Sequence, residues 1–559
     1  MRGFRPPHPN ASIRPGVSGY CISGCCFAPS RQPQRRRPNR FLVEMGQSDY
    51  AQGLGCRPAD GRNYIFFNML EKARAPSRPL PPSFKESVVR YISTRGEVPP
   101  LGFVDVMLAG LARDGGLYVP ESWPRLSAEA IAGFAGRPYA EVAAEVIRPF
   151  VGDAIPEADL ARMTREAYDT FRHPATVPLV QIGANQFVLE LFHGPTLAFK
   201  DLAMQLLGRM MDYALKARGE RTTIVVATSG DTGGAAVEAF RDSSQADVVV
   251  LYPHGRISDV QRQMMTSVTE PNVHVLAIDG TFDDCQALVK AMFNHHAFRD
   301  QVRLSGVNSI NWARIVAQAV YYFTAAVTLG APARKVSFSV PTGNFGDVYA
   351  GYVASRMGLP VQRLAIATNV NDILARTLAG GTYELRDVTA TSSPSMDIQV
   401  SSNFERLLFE SYGRDAQAVR GLMGSLAQSK RFSLSVGALS DIRSLFTADR
   451  ADEEETGATI RTVLKEAGYC IDPHTAVGIA VAEKEIRDPA VPMVVLSTAH
   501  PAKFPDAVES ACGHRPALPD WLSDLAERPE RVTRLPADQA AVERFIVAAS
   551  RAAREGAAA

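Results

Sequence analysis

The chain has 559 residues, 46% of them hydrophobic and 21% charged, with a formal net charge of +1 at pH 7. That length allows two or more domains around a large core, and the charge balance gives the body of the protein no reason to bind nucleic acid. No run of about 18 consecutive apolar residues occurs, which argues against a membrane span.

Seven cysteines are present. Cys21, Cys25, Cys26 and Cys56 lie early, while Cys285, Cys470 and Cys512 are scattered. Neither group is a disulfide framework for a chain this long, so a reducing compartment, the cytoplasm, is expected.

Residues 1–85 are rich in Arg, Pro, Gly and Ser and poor in acids, and include Arg35-Arg36-Arg37. They read as a targeting peptide, as a basic arm for nucleic acid, or as a disordered leader ahead of an alternative start at Met69. The third reading is favoured, because amphipathic periodicity is missing and the prolines would break a helix. Residues 86–175 are expected to be a mainly helical region, with candidates over 103–112, 128–135, 139–150 and 157–170. Tyr118 and Trp123 there read as core residues.

Within residues 176–538, strands and helices alternate. Strand candidates are 222–227, 247–252, 273–278, 336–340 and 364–367, with helices over 260–268, 282–293 and 312–328 between them. Apolar, β-branched runs separated by helices predict a parallel sheet covered on both faces, with ligands beyond the carboxyl ends of the strands. The stretch 404–451 reads as helical and charged, with Asp452-Glu-Glu-Glu455 as a solvated helix start. Residues 494–498 return to a strand, and residues 539–559 read as an Ala-rich helical tail fading into disorder.

Three short stretches carry chemistry. Leu191-Phe-His-Gly-Pro-Thr-Leu-Ala-Phe-Lys-Asp201 places Lys200 where a loop becomes a helix, among apolar neighbours. Desolvation and the positive end of the helix dipole both favour its neutral amine, the form that attacks a carbonyl. Ser229-Gly-Asp-Thr-Gly-Gly234 and Pro341-Thr-Gly-Asn-Phe-Gly-Asp347 are glycine-rich strand-to-helix turns. Such turns let amide N–H groups converge on an anion. His193 stands just before the Lys200 turn, as a group touching substrate or as a structural histidine.

Together these stretches resemble the threonine synthase family, pyridoxal-phosphate enzymes of fold-type II (tryptophan synthase β-like), in its longer branch. Further matching pieces are Tyr91-Ile-Ser-Thr-Arg-Gly96, Asp114-Gly-Gly-Leu-Tyr-Val-Pro120, Val307-Asn-Ser-Ile-Asn-Trp-Ala-Arg314 and Leu496-Ser-Thr-Ala-His-Pro501. The matches run in family order from Tyr91 almost to the C-terminus. The resemblance implies an α/β fold of two lobes of parallel or mixed sheet flanked by helices. It also implies pyridoxal 5'-phosphate as cofactor and conversion of O-phospho-L-homoserine to L-threonine and phosphate. No nucleic acid or membrane partner is implied, and a monomer or homodimer is expected.

Residue by residue, the resemblance makes Lys200 the catalytic, cofactor-linked lysine. Asp231, Gly343, Asn344, Phe345, Gly346, Asp347 and Thr498 would also bind the cofactor, Thr498 against the pyridine nitrogen. Ser229, Thr232, Asn308, Ser309 and Arg314 would bind substrate, with Arg314 suited to a phosphate and Lys503 as a further candidate cation. Asp347 beside a phosphate departs from simple charge logic, and its carboxylate is expected to turn away and cap the following helix. Asp231 is likewise a candidate cap for its own helix. The alternatives are another fold-type II lyase, such as a serine or threonine dehydratase, or a non-catalytic threonine synthase-like protein that binds the cofactor. No metal is called for.

Overall fold

The structure is a computed structural model that describes residues 89–485 and 488–558. The leader expected over 1–85, with its cysteines and its arginine run, lies outside the described residues.

Two sheets divide the body. The larger has six strands, in the order Phe446–Arg450, Val361–Thr368, Val336–Pro341, Met493–Ser497, Gln186–Glu190 and Leu179–Gly183. All its pairings are parallel except the last, a hairpin turned at Asn185 with φ +58°. The smaller sheet has five parallel strands, Thr533–Pro536, Val273–Asp279, Ala246–Pro253, Thr222–Ala227 and Leu304–Ser305. Every residue of Ala246–Pro253 and of Thr222–Ala227 is buried. Helices cover both faces of these strands, and their uninterrupted Val/Ile runs are legible for that reason.

The helix Trp312–Thr328 begins and ends where its periodicity predicts and is buried on nearly every side. It packs against Lys200–Arg218, Gly346–Arg356 and the N-terminal helix Tyr139–Val151. The rings of Tyr91, Trp123 and Phe150 close around Trp312 at 5.8–6.2 Å. This ties the N-terminal region into one continuous apolar core with the sheets. Tyr118 is buried, and Trp123 packs against that core as its character suggests.

The helices expected in the N-terminal region are present, Phe103–Ala109, Ala128–Ala132, Tyr139–Val151 and Glu157–Tyr168; the structure adds one feature there and corrects two expectations elsewhere. The N-terminal region carries a two-stranded antiparallel sheet, Tyr91–Ser93 with Tyr118–Pro120, beside its helices. Three-residue strands leave no periodic trace; here they are fixed by Asp114, which accepts from Ser93 Oγ and Gly116 N.

The stretch 404–451 is three helices broken by the strands Arg431–Ser433 and Phe446–Arg450, the latter being the edge of the large sheet. An edge strand with one fully buried side chain, Phe446, has no hydrophobic run to announce it. Asp452 and Glu455 do form a reciprocal capping box at the next helix.

The C-terminal tail is docked. Thr533–Pro536 completes the small sheet, and the helices Gln539–Ala549 and Arg551–Ala558 follow it. Val542 and Ile546, one turn apart, enter the core of the small lobe, and Ser550 Oγ bonds Thr223 Oγ1 at 2.8 Å.

Candidate active site

Lys200 opens the helix Lys200–Arg218 after a loop pinned by its own neighbour. Asp201 accepts from Thr196 N at 2.7 Å and from Thr196 Oγ1 at 2.6 Å. Gly194 packs so tightly on that carboxyl that a Cβ would overlap it. Phe199 N donates to Thr498 O at 2.9 Å, which fixes the helix start at the carboxyl end of Met493–Ser497. The Lys200 amine is buried, 4.6 Å from the centre of the Phe199 ring. Burial pushes it below the usual lysine range, with Asp231 opposing and Lys503 and Arg314 adding to the effect.

The first glycine turn is built on Thr228, whose Oγ1 accepts from both Gly230 N and Gly233 N at 2.9 Å. Gly230 has φ +128°, open to glycine alone. Asp231 does not cap its helix: its carboxylate faces Lys200 Nζ at 3.2 Å and Lys503 Nζ at 2.8 Å, and accepts from Gln261 Nε2 at 2.9 Å. Burial works against this charge, but the two ammonium groups override it and hold the carboxyl well below the usual range.

The second turn connects Val336–Pro341 to the helix Gly346–Arg356, with Phe345 at φ +63°. Its carbonyls are tied outward, Gly343 O to Ser401 Oγ at 2.7 Å and Asn344 O to Asn403 Nδ2 at 2.8 Å. The amide N–H groups of Gly343, Asn344, Phe345, Gly346 and Asp347 find no acceptor among the described residues. A row of free donors at a helix N-terminus is what a phosphate requires.

Asp347 turns away from this row, as expected, but it caps nothing. Its Oδ1 accepts from Tyr321 at 2.5 Å and Tyr322 at 2.9 Å. The left-handed Phe345 occupies the cap position and has no hydrogen-bonding side chain to cap with, while two hydroxyls on the neighbouring helix offer Asp347 better partners. Burial pushes its carboxyl up to about 6, against the pull of both tyrosines.

All of Lys200, Ser229, Asp231, Thr232, Asn308, Ser309, Arg314, Gly343, Asn344, Phe345, Gly346, Asp347 and Thr498 line one cavity of about 980 Å³. Arg314 is 2% exposed; its Nη1 donates to Val307 O at 3.2 Å, and its Nε has no partner. Asn308 Oδ1 is also buried without a partner. Unsatisfied buried polar atoms at a cavity wall await a polar ligand. Burial lowers Arg314 to about 10, which leaves it charged at neutral pH. Asn311 instead caps its helix through Ala313 N.

Two candidates fall outside the wall. His193 is held by Glu190 at 2.6 Å and packs, with its ring tilted, against Phe192 and His173. Lys503 is 1% exposed and is used up by Asp231 and by Thr196 O at 2.7 Å, so it cannot meet a substrate phosphate.

The polar stretch 389–396 reads from sequence as a loop near the site or a link between lobes, and Ser395 brings it to the wall, whereas sequence reasoning missed His474 and Arg95. His474 holds Asp472 through Nδ1 at 2.7 Å and accepts from Ser395 N through Nε2 at 3.3 Å. Ser395 O presses on Gly343. Arg95 reaches the wall while pairing with Glu405 at 3.1 Å. Arg95 lay in a matched signature and was findable; nothing near His474 in sequence points to the cavity.

The residues fit pyridoxal 5'-phosphate: a buried lysine, a row of free amide donors for its phosphate, and a hydroxyl at Thr498. Three family models match the chain, "Threonine synthase N terminus" over residues 90–168, "Pyridoxal-phosphate dependent enzyme" over 175–498 and "Threonine synthase, C-terminal" over 475–546. The chain is 53% identical over 459 residues to the threonine synthase of Pseudomonas aeruginosa, covering 82% of this chain and 98% of that one. A crystal structure of pyridoxal-phosphate-bound threonine synthase from Brucella melitensis superposes with a TM-score of 0.81 at 62% identity, over 83% of this chain and 100% of that one. The yeast threonine synthase structure gives 0.78 at 39% identity, over 82% and 98%. The chain is a pyridoxal-phosphate-dependent enzyme and belongs to the threonine synthase family.

Proposed function

We propose that this enzyme converts O-phospho-L-homoserine and water to L-threonine and inorganic phosphate, acting in the cytoplasm as a monomer or homodimer. The observation that carries this reading is a pair of anion-receptive places in one cavity with a buried lysine at its wall. A substrate without a phosphate needs only one such place. The cytoplasm suits the three described cysteines, all of them free. No helix among the described residues is long and apolar enough to cross a membrane.

The free amides of residues 343–347 would hold the cofactor phosphate, and Thr498 Oγ1 would meet the pyridine nitrogen. Bound pyridoxal phosphate supplies an electron sink that stabilises carbanions at the α- and β-carbons of an attached amino acid. Lys200 Nζ, oriented by Asp231, would take a proton from one carbon and return it to another. Ser229, Thr232, Asn308, Ser309 and Arg314 would grip the substrate phosphate and steady it as it leaves from the γ-carbon. Water would then add at the β-carbon, with Lys200 Nζ as the group to take its proton.

The test is absorbance of the purified protein before and after O-phospho-L-homoserine, with phosphate and threonine followed in the same sample. A visible cofactor band that shifts on substrate while both products appear, all lost in Lys200→Ala, is the expected result. A band without phosphate release would identify a dehydratase-like or silent relative instead.

A further inference from the structure

Asp231 is one carboxylate between two buried lysine amines, Lys200 on Oδ2 at 3.2 Å and Lys503 on Oδ1 at 2.8 Å. Gln261 Nε2 shares Oδ1 at 2.9 Å, and Ser395 Oγ approaches Oδ2 at 3.4 Å. Lys503 reaches neither solvent nor the cavity wall. It is locked from two further sides: its amine donates to Thr196 O at 2.7 Å, and its carbonyl accepts from Ser258 Oγ at 3.2 Å. Thr196 is itself clamped by Asp201. A buried cation is costly unless it is paired, so a lysine held this way has its charge committed to Asp231.

We infer that Lys503 is a positioning residue for the reactive amine: it anchors Asp231 and occupies its charge, which leaves Lys200 Nζ oriented by a hydrogen bond without being locked into an ion pair. This rests on the reading of Lys200 as the cofactor-linked lysine. The charged and titratable groups around that amine are Asp231 and Lys503, Arg314 from the helix Trp312–Thr328, and Asp347 from the second turn. Lys503 and Arg314 act in the same direction as burial, and Asp231 opposes them. Without Lys503, Asp231 keeps one ammonium partner only. Lys200 then holds its proton, and the protonated amine cannot condense with an aldehyde. Condensation joins the neutral amine nitrogen to the aldehyde carbon as C=N and releases one water, with no oxidant or reductant needed.

The experiment uses the full chain stripped of cofactor and follows the visible band that appears on adding pyridoxal phosphate, as a function of pH. Lys503→Met and Lys503→Gln are run side by side, so that a folding failure in one leaves the other to decide. The expected result is a rate profile whose midpoint moves up by about one pH unit or more, hence about tenfold slower reaction below the midpoint. Lys503→Arg restores the parent midpoint, and in an Asp231→Asn background the Lys503 substitution moves it no further. An unmoved midpoint in a folded Lys503 variant overturns the inference, as does a shift of the same size without Asp231. A band that still forms in Lys200→Ala would overturn the Lys200 assignment and this inference with it, a result distinct from a failure at Lys503 alone.

Discussion

The Tyr321 hydroxyl donates a 2.5 Å hydrogen bond to Asp347 Oδ1, and Tyr322 adds a second at 2.9 Å, while Asp347 Oδ2 is buried without a partner. A carboxyl so placed prefers its proton. Its folded-state value stands near 6 against 3.8 for an ordinary aspartate. The folded state therefore binds the proton more tightly than the unfolded chain. The stability this gives is complete below about pH 4 and is lost as pH rises through about 6. In Asp347→Asn that loss is absent. Denaturant unfolding at pH 4 and pH 8 should show the variant's stability changing less between the two by up to about 3 kcal/mol. Asp201, also raised to about 6, contributes equally to both proteins. Parallel stability curves for parent and variant would refute the assignment.

The second glycine turn admits a sharper test. A Cβ on Gly343 would overlap the Ser395 carbonyl oxygen, whereas one on Gly346 meets nothing closer than Asn403 Nδ2 at 3.4 Å. Gly343→Ala should weaken pyridoxal phosphate binding at least tenfold and lower stability by roughly 1–3 kcal/mol, while Gly346→Ala leaves both nearly unchanged. Titration of the visible band with cofactor reads the first effect, and thermal unfolding of the cofactor-free chain the second.

Arg314 tests the proposed division between a cofactor-phosphate place and a substrate-phosphate place. Arg314→Lys keeps a positive charge but loses the planar fork and leaves Val307 O without its 3.2 Å donor. The KM for O-phospho-L-homoserine should rise about tenfold or more, while the cofactor band and its affinity hold. Steady-state kinetics with parallel cofactor titration decides: an unchanged KM would remove Arg314 from the substrate site, and a lost band would move it to the cofactor.

Glu405 ties the N-terminal region to the body. It accepts from Thr94 Oγ1 at 2.6 Å and from Arg95 Nε and Nη2 at 3.2 and 3.1 Å, with its side chain 8% exposed. Glu405→Gln leaves the Arg95 guanidinium without its charge partner and should cost about 1–3 kcal/mol in unfolding experiments. Because Arg95 also lines the cavity, a rise in KM should accompany the loss, and Glu405→Asp should recover part of each.

How much of this was legible in sequence follows from the range of the interactions involved. The strand Thr222–Ala227 and the helix Trp312–Thr328 end where the pattern places them, because each is buried nearly throughout and carries its own dominant apolar run, which its neighbours only complete. The strands Phe446–Arg450 and Thr533–Pro536 are invisible beforehand, since each exists only through hydrogen bonds to a buried neighbour strand.

The same division runs through the site. Lys200 at a helix start and two glycine turns are local chemistry, written in consecutive residues, and the sequence by itself determined them and the family they resemble. Which carboxylate faces which cation was decided by tertiary structure alone. Asp231 could have capped its helix and Asp347 its own, but Lys503, 272 positions from Asp231, and Tyr321, on another helix, offered buried partners that water near a helix end cannot match. A buried charge goes to its strongest partner, and that partner's address is set by the packing of the lobes rather than by distance along the chain.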